Sequence, residues 1–250
     1  MRKRSSPVGL GVPAAISMDK TLALKTLSRD PVLHMDMVEA IRSGNAELLF
    51  VSESGVLLRH TLSPVLMMSA NDPETAGRML AAADSTELFV AHQSFTVEMV
   101  LQKFPYRGQM PCRQAVYLKN EPLPSVPSPE IKLLDERFLP FIMEHYSHAD
   151  DEDYQLERFR SGVMFGAFVD GDLTGFIGTH DERSIGLLYV LPDYRRLGLA
   201  FALEAVMTNH LLSIGRLPFC QVHLQNEPSL ALQRKLGFTV SDQPIYWLER

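Results

Sequence analysis

Residues 187–203 read LLYVLPDYRRLGLAFAL, and this stretch holds the residue types and spacing best suited to chemistry. A β-rich apolar run ends at Val190, Pro192 interrupts its pairing, and Arg195, Arg196, Leu197, Gly198, Leu199 and Ala200 lead into an apolar helix. A strand-turn-helix of this kind leaves several backbone N–H groups unpaired at the positive end of a helix, and Gly198 lets a ligand approach the backbone closely. That makes an anion site suited to a pyrophosphate. A second stretch, QVHLQNEPSLALQRKLGF at 221–238, sets Asn226 at a turn and Ser229 at a helix start before closing on Gly-Phe. Between the two in chemical interest stands HDERS at 180–184. If the strand that begins at Ile185 extends backward, residues 180, 182, 184 and 186 share a face, which sets His180 and Glu182 together as proton acceptors. The alternative is a solvated polar turn.

The turn resembles the GNAT superfamily of acyl-CoA-dependent N-acyltransferases, whose signature, Q/R-x-x-G-x-G/A after a strand, is filled by Arg195, Gly198 and Ala200. Residues 221–238 are similar to that family's second cofactor region. The resemblance covers residues 131–250 and is nearest to the glycine N-acyltransferase-like (FR47-like) branch, in which a half of degenerate GNAT topology precedes the catalytic half. It implies an α/β fold with a mixed sheet and a co-substrate that is acetyl-CoA or another acyl-CoA, with no metal. The backbone of Leu188, Tyr189 and Val190 would pair with the pantetheine arm as though it were an added strand. Amides of Leu197, Gly198, Leu199 and Ala200 would hold the pyrophosphate, Arg195 and Arg196 would supply charge, and Asn226 and Ser229 would line the other wall.

The implied reaction is attack of a neutral primary amine of a small molecule or amino acid on a thioester, with Glu182 as base and His180 in reserve. Many family members protonate the leaving thiolate with a Tyr whose place here is taken by Gln233. No acid is assigned; Tyr189 and Tyr246 are phenols as easily packed in a core. The rival reading is a noncatalytic acyl-CoA-binding sensor or scaffold.

To position these groups, the C-terminal half needs helices near 131–145 and 153–159 and strands at 163–169 and 173–178 joined at Asp170, Gly171 and Asp172. A strand 185–190, a helix 197–213, a strand 219–224, a helix 228–235 and short strands near Phe238 and 246–248 complete it. The N-terminal half reads as a helix near 32–41, strands at 46–51, 56–60 and 65–68, a helix 73–83, a strand 88–91, a helix 96–104 and a strand 114–118. The shared order points to a degenerate internal duplication. The domains expected are a disordered tail at 1–19, a degenerate GNAT-like domain at 20–119, a linker at 120–130 (NEPLPSVPSPE) and the catalytic domain at 131–250. The first half has SANDPETAG at 69–77 where the second has its phosphate turn, and the carboxylates of Asp72 and Glu74 would repel a pyrophosphate.

Of 250 residues, 46% are hydrophobic and 22% charged, the balance of a folded chain, and no apolar run approaches the ~18 residues of a membrane span. Two cysteines, Cys112 and Cys220, with no metal spacing point to a reducing, cytoplasmic setting. A net charge of −6 disfavours nucleic acid as a partner. Residues 131–250 carry the whole acidic excess, 17 acidic against 11 basic side chains, while residues 1–130 balance, so a small cationic amine is the acceptor expected. His145, His148 and the run from Asp150 to Asp153 read as a solvated surface near the acceptor pocket, Met67, Met68 and Met79 as core, and Cys220 as packed.

Overall fold

The computed structural model describes residues 14–124, 129–146 and 151–250, with side chains from residue 20 onward. Helix α1 (Ala14–Leu27) runs through positions expected to be disordered, so the tail expectation fails for 14–19; residues 1–13 lie outside the described residues. Helix α2 (Met35–Arg42) leads into an antiparallel meander, β1 (Ala46–Ser52), β2 (Gly55–His60) and β3 (Val65–Ala70). Helix α3 (Pro73–Ala82), strand β4 (Leu88–Ala91), helix α4 (Ser94–Lys103) and strand β5 (Gly108–Val116) close the first half.

The second half opens with strand β6 (Glu130–Leu133), where a helix was expected. Ile131 to Leu133 pair as an edge strand with β7 (Phe165–Val169), and the helix starts only at Leu139, where Pro140 occupies the first turn. Pro fits there because the first-turn N–H has no intrahelical partner anyway. Helices α5 (Leu139–His145) and α6 (Glu152–Arg160) then precede β7, and β8 (Asp172–Thr179) follows it. Asp170 and Gly171 both have positive φ, 53° and 94°, as a two-residue hairpin turn with the right twist demands. After β9 (Ile185–Val190) come α7 (Leu199–Ser213), β10 (Phe219–His223), α8 (Glu227–Leu236), β11 (Thr239–Val240) and β12 (Ile245–Glu249).

The twelve strands among the described residues join one mixed sheet in the order β1-β2-β3-β4-β12-β5-β10-β9-β8-β7-β6, with β11 on β5. The halves exchange their closing strands. β12 pairs antiparallel with β4 of the first half, β5 pairs antiparallel with β10 of the second, and β5 and β12 pair with each other at the centre. Apolar side chains cover the sheet on both faces. Met67, Met68 and Met79 are fully buried, as the sequence suggests, and α7 buries Leu199, Ala202, Leu203, Met207 and Leu211. A fully buried leucine such as Leu203 contributes about 1.5–3 kcal/mol of transfer free energy.

The halves differ at one corresponding place. The parallel pair β3 and β4 is closed by four rungs, from Val65↔Leu88 to Met68↔Ala91. The parallel pair β9 and β10 shares a single rung, Ile185↔Cys220, and then diverges.

Candidate active site

The divergence has a local cause. Along β8 and β9 the register runs from Gly178↔Gly186 to Phe176↔Tyr189, so two residues of β9, Leu187 and Leu188, oppose one of β8. Leu187 takes a φ of 51°, a left-handed conformation unusual for a branched side chain, and this bulge turns β9 away from β10. Between the separated strands lies a cavity of about 640 Å³. Its walls include Gly186 to Leu188 on β9, Cys220 to Val222 on β10, Glu204 on α7, and Asn226, Ser229 and Gln233 at and in α8. Met110, Cys112, Leu88 and Trp247 add a wall from β5, β4 and the exchanged β12.

Past Val190 the chain makes a 3-10 turn at Pro192–Tyr194 and reaches the turn before α7. Arg196 and Gly198 both have positive φ, 67° and 87°, and Gly198 is the helix N-cap with no side-chain cap bond. The first intrahelical bond is Ala202 N–H to Gly198 O at 3.0 Å, which leaves the amides of Leu199, Ala200 and Phe201 without helical partners. Arg195, Arg196, Leu197 and Gly198 are exposed. The Arg195 guanidinium donates from Nε to Val190 O at 3.1 Å and lies 5.9 Å from the Tyr189 ring centre, which holds its charge beside the strand end. A Cβ at Gly198 would meet no protein atom within 4 Å, so the glycine answers to φ and to the space in front of the turn.

The 180–184 segment is a tight turn and not a backward extension of β9. His180 N–H donates to Ser184 O and Arg183 N–H to His180 O, both at 2.9 Å, with Arg183 at φ 73°. His180 and Glu182 therefore do not share a strand face, but the turn still brings them into the cavity wall together. Glu182 is buried and accepts from Ser184 Oγ at 2.9 Å. His180 Nδ1 lies 2.9 Å from the Tyr154 hydroxyl, and the imidazole packs so tightly on Gly186 that a Cβ there would fall 2.2 Å from Nε2. Burial and then the Glu182 carboxylate push the Tyr154 phenol well above its ordinary range. Asp181, also on the wall, has its carboxyl raised by burial against the opposing pull of Arg158, with which it forms an ion pair.

Of the other expected site residues, Leu188, Asn226 and Ser229 line the cavity, while Tyr189, Val190 and the 195–200 turn continue from its β9 side. Asn226 Oδ1 accepts from Ser229 N–H at 3.2 Å and so caps α8 as well. Tyr189 stacks on Phe176 and His145, and Tyr246 packs in the first-half core; neither is on the cavity wall. Asp151 lines the wall and caps α6 through Tyr154 N–H; His148 and Asp150 lie outside the described residues. Cys220 is buried and its thiol pushed up by burial, as fits a packed side chain.

Tyr154, Asp181 and Glu204 were not singled out by sequence reasoning. Glu204 had a signal, a lone carboxyl in the apolar run LAFALEAVM.

Comparison with known proteins agrees with this geometry. The profile of the acetyltransferase (GNAT) family matches residues 131–238. An uncharacterized N-acetyltransferase, YdfB of Bacillus subtilis, is 31% identical over 90 residues, 36% of this chain. The matched segment spans about a third, 34%, of the length of that curated relative. Among solved structures, a Drosophila protein superposes with a TM-score of 0.63 at 15% identity, covering 93% of this chain and 95% of that one. A GCN5-related N-acetyltransferase from Sphaerobacter thermophilus superposes with 0.55 at 15% identity, covering 95% and 93%. Residues 131–238 thus match the acetyltransferase (GNAT) family, and the likeness in fold to the solved structures extends over nearly the whole chain.

Proposed function

We propose that this protein transfers an acetyl or other acyl group from a coenzyme A thioester to the primary amine of a small molecule or an amino acid. The observation that carries the reading is the opening of β9 from β10 beside an uncapped helix N-terminus, so that an anion-binding turn and a cavity with proton acceptors lie along one strand. The open space and left-handed backbone at Gly198 fit a pyrophosphate, with Arg195 and Arg196 beside it. The β9 edge over Leu188, Tyr189 and Val190, which β10 does not pair, fits an extended pantetheine arm.

An ammonium cannot attack a thioester. Glu182 removes the proton, directly or through water, and His180, oriented by Tyr154, is the second acceptor. The free amine then attacks the carbonyl carbon, and the negative charge on its oxygen falls to the bulge backbone near Leu188. Asp151, Asp181 and Glu182 on the wall favour an acceptor that arrives as a cation, even with Arg158 balancing one of them. The first half shapes the acceptor end through Met110 and Leu88, and through Trp247 of the exchanged β12 that its β4 holds.

The test is thiol release from acetyl-CoA across an amine panel, with the acylated product identified by mass spectrometry. Raising salt should raise the Michaelis constant of the preferred acceptor, because exposed charges are screened. Binding of acetyl-CoA without turnover on any amine would favour a noncatalytic acyl-CoA-binding module, to which Gln233 in place of the usual phenol lends some support.

A further inference from the structure

At the meeting of α7 and α8 the cavity wall holds a polar pair in an apolar setting. Glu204 and Gln233 are 3% and 1% exposed, and Gln233 Nε2 donates to Glu204 Oε1 at 2.8 Å. The other carboxyl oxygen, Oε2, is buried and has no hydrogen-bond partner among the described residues, and neither has Gln233 Oε1. Both side chains border the cavity together with Leu188 and Cys220, the strand residues on either side of the opening. A carboxyl so placed is costly as an anion, since one oxygen would carry charge with no donor; as a neutral acid it keeps the Gln233 bond and has an O–H left to give.

From this geometry we infer that Glu204, held by Gln233, is the acid that protonates the departing thiolate of coenzyme A. The inference rests on the transfer reading above. In the step, the amine nitrogen bonds to the carbonyl carbon, the C–S bond breaks, and the electron pair of that bond stays on sulfur. The proton of Glu204 Oε2 moves to sulfur to give the free thiol. Glu204 is left as a carboxylate, and the nitrogen loses its second proton to solvent as the amide forms. The first proton, taken from the ammonium by Glu182, returns Glu204 to the acid form through solvent, so that one proton is released per turnover and charge balances over the cycle.

Burial pushes the Glu204 carboxyl up to about 7, against a smaller downward pull from the Gln233 bond. No charged side chain contributes to that shift. Cys220 on β10 interacts with Glu204, and its thiol is pushed up by burial first and then by Glu204 and Cys112. An acid with that range loses its proton just above neutrality, where a donor of this kind works with the least mismatch.

The experiment compares wild type with Glu204→Gln, which keeps the shape of the side chain, and with Glu204→Asp, which keeps the acid but withdraws it. Glu204→Gln should lower kcat by about 10²-fold while the calorimetric Kd for acetyl-CoA changes less than about twofold. The fall in wild-type kcat above pH ~7 should vanish in Glu204→Gln, and Glu204→Asp should keep it at a reduced rate. An acetyl selenoester analogue of coenzyme A, whose leaving group needs no acid, should restore most of the loss. Infrared pH-difference spectra should show one carboxylic acid band in wild type that is missing from Glu204→Gln, whether or not an amine is turned over. Unchanged kcat and pH profile in an active Glu204→Gln would overturn the assignment alone. A loss equal for thioester and selenoester would make Glu204 a structural residue. Absence of turnover in wild type with every amine would instead overturn the transfer reading.

Discussion

Replacing Glu204 by Gln should change how stability depends on pH in a calculable way. In the fold the carboxyl is pushed by burial from 4.5 to about 7. The folded chain therefore holds a proton that the unfolded chain has released across that interval, so stability falls as pH rises through it. The contribution is fully present below the unfolded value and gone above the folded one. An interval of this width corresponds to about 3 kcal/mol, because each pH unit is worth about 1.4 kcal/mol. Glu204→Gln cannot titrate, so it should unfold with nearly the same free energy as wild type at pH 4, below the unfolded value. At pH 8 it should be the more stable, by an amount on the order of 3 kcal/mol. Guanidinium unfolding at a series of pH values reads this directly, with the slope of the transition checked for constancy. Wild-type and variant stabilities that run parallel from pH 4 to pH 8 would refute the reasoning, since they would show that Glu204 enters both states with the same charge.

Gly198→Trp should weaken coenzyme A binding by at least tenfold by calorimetry, because it forces a bulky residue into a left-handed backbone and fills the space in front of the uncapped helix end; an unchanged Kd would remove the turn from the site. Glu182→Gln should lower kcat at neutral pH by about 10²-fold with acetyl-CoA affinity nearly intact; if turnover survives, His180→Ala should then be the variant that abolishes it. Isothermal titration should return one coenzyme A per chain, because the four-rung pairing of β3 with β4 leaves no opening in the first half. A stoichiometry of two would contradict that.

The parts of this fold that local sequence determines were legible in it. β9 falls at 185–190 as expected, since an apolar run bounded by a polar turn and by Pro192 has few alternatives, and Asp170–Gly171 marks the β7–β8 hairpin because both residues tolerate positive φ. The start of α5 was open to the same reasoning through Pro140, but Ile131–Leu133, equally apolar, becomes a strand only because β7 offers it an edge. Partners distant in sequence leave no local mark. The Glu204–Gln233 bond joins residues 29 apart, and the exchange of β5 and β12 shows in no composition or period. His180 and Glu182 share one wall because of a turn with Arg183 at φ 73°, not because of a strand face, and the period of alternation along β9 does not reach them.

Two corresponding turns account for why one half opens and the other does not. Before α3, Asp72 accepts from Thr75 N–H at 2.7 Å and from Thr75 Oγ at 2.8 Å, and these bonds hold its carboxyl below the usual range. The helix end is thus satisfied by the chain's own anion. Before α7 no side chain caps the helix, and arginines stand where the carboxylates would be. The strand on the capped side keeps regular pairing with its parallel neighbour, whereas β9 carries the Leu187 bulge and loses it. The closed half nevertheless reaches the cavity. Its β4 holds β12, whose Trp247 indole donates to Gln221 Oε1 on β10 at 2.6 Å, and Gln221 Nε2 donates to Asp36 at 3.2 Å. Asp36 is anchored by His92, whose Nε2 lies 2.9 Å from Asp36 Oδ1 with both side chains fully buried. Removing either partner would leave a buried polar group unsatisfied, at a cost of about 1–3 kcal/mol. The rigid half therefore fixes the far wall of the cavity from behind, and strand exchange is what brings its side chains within reach of the half that opens.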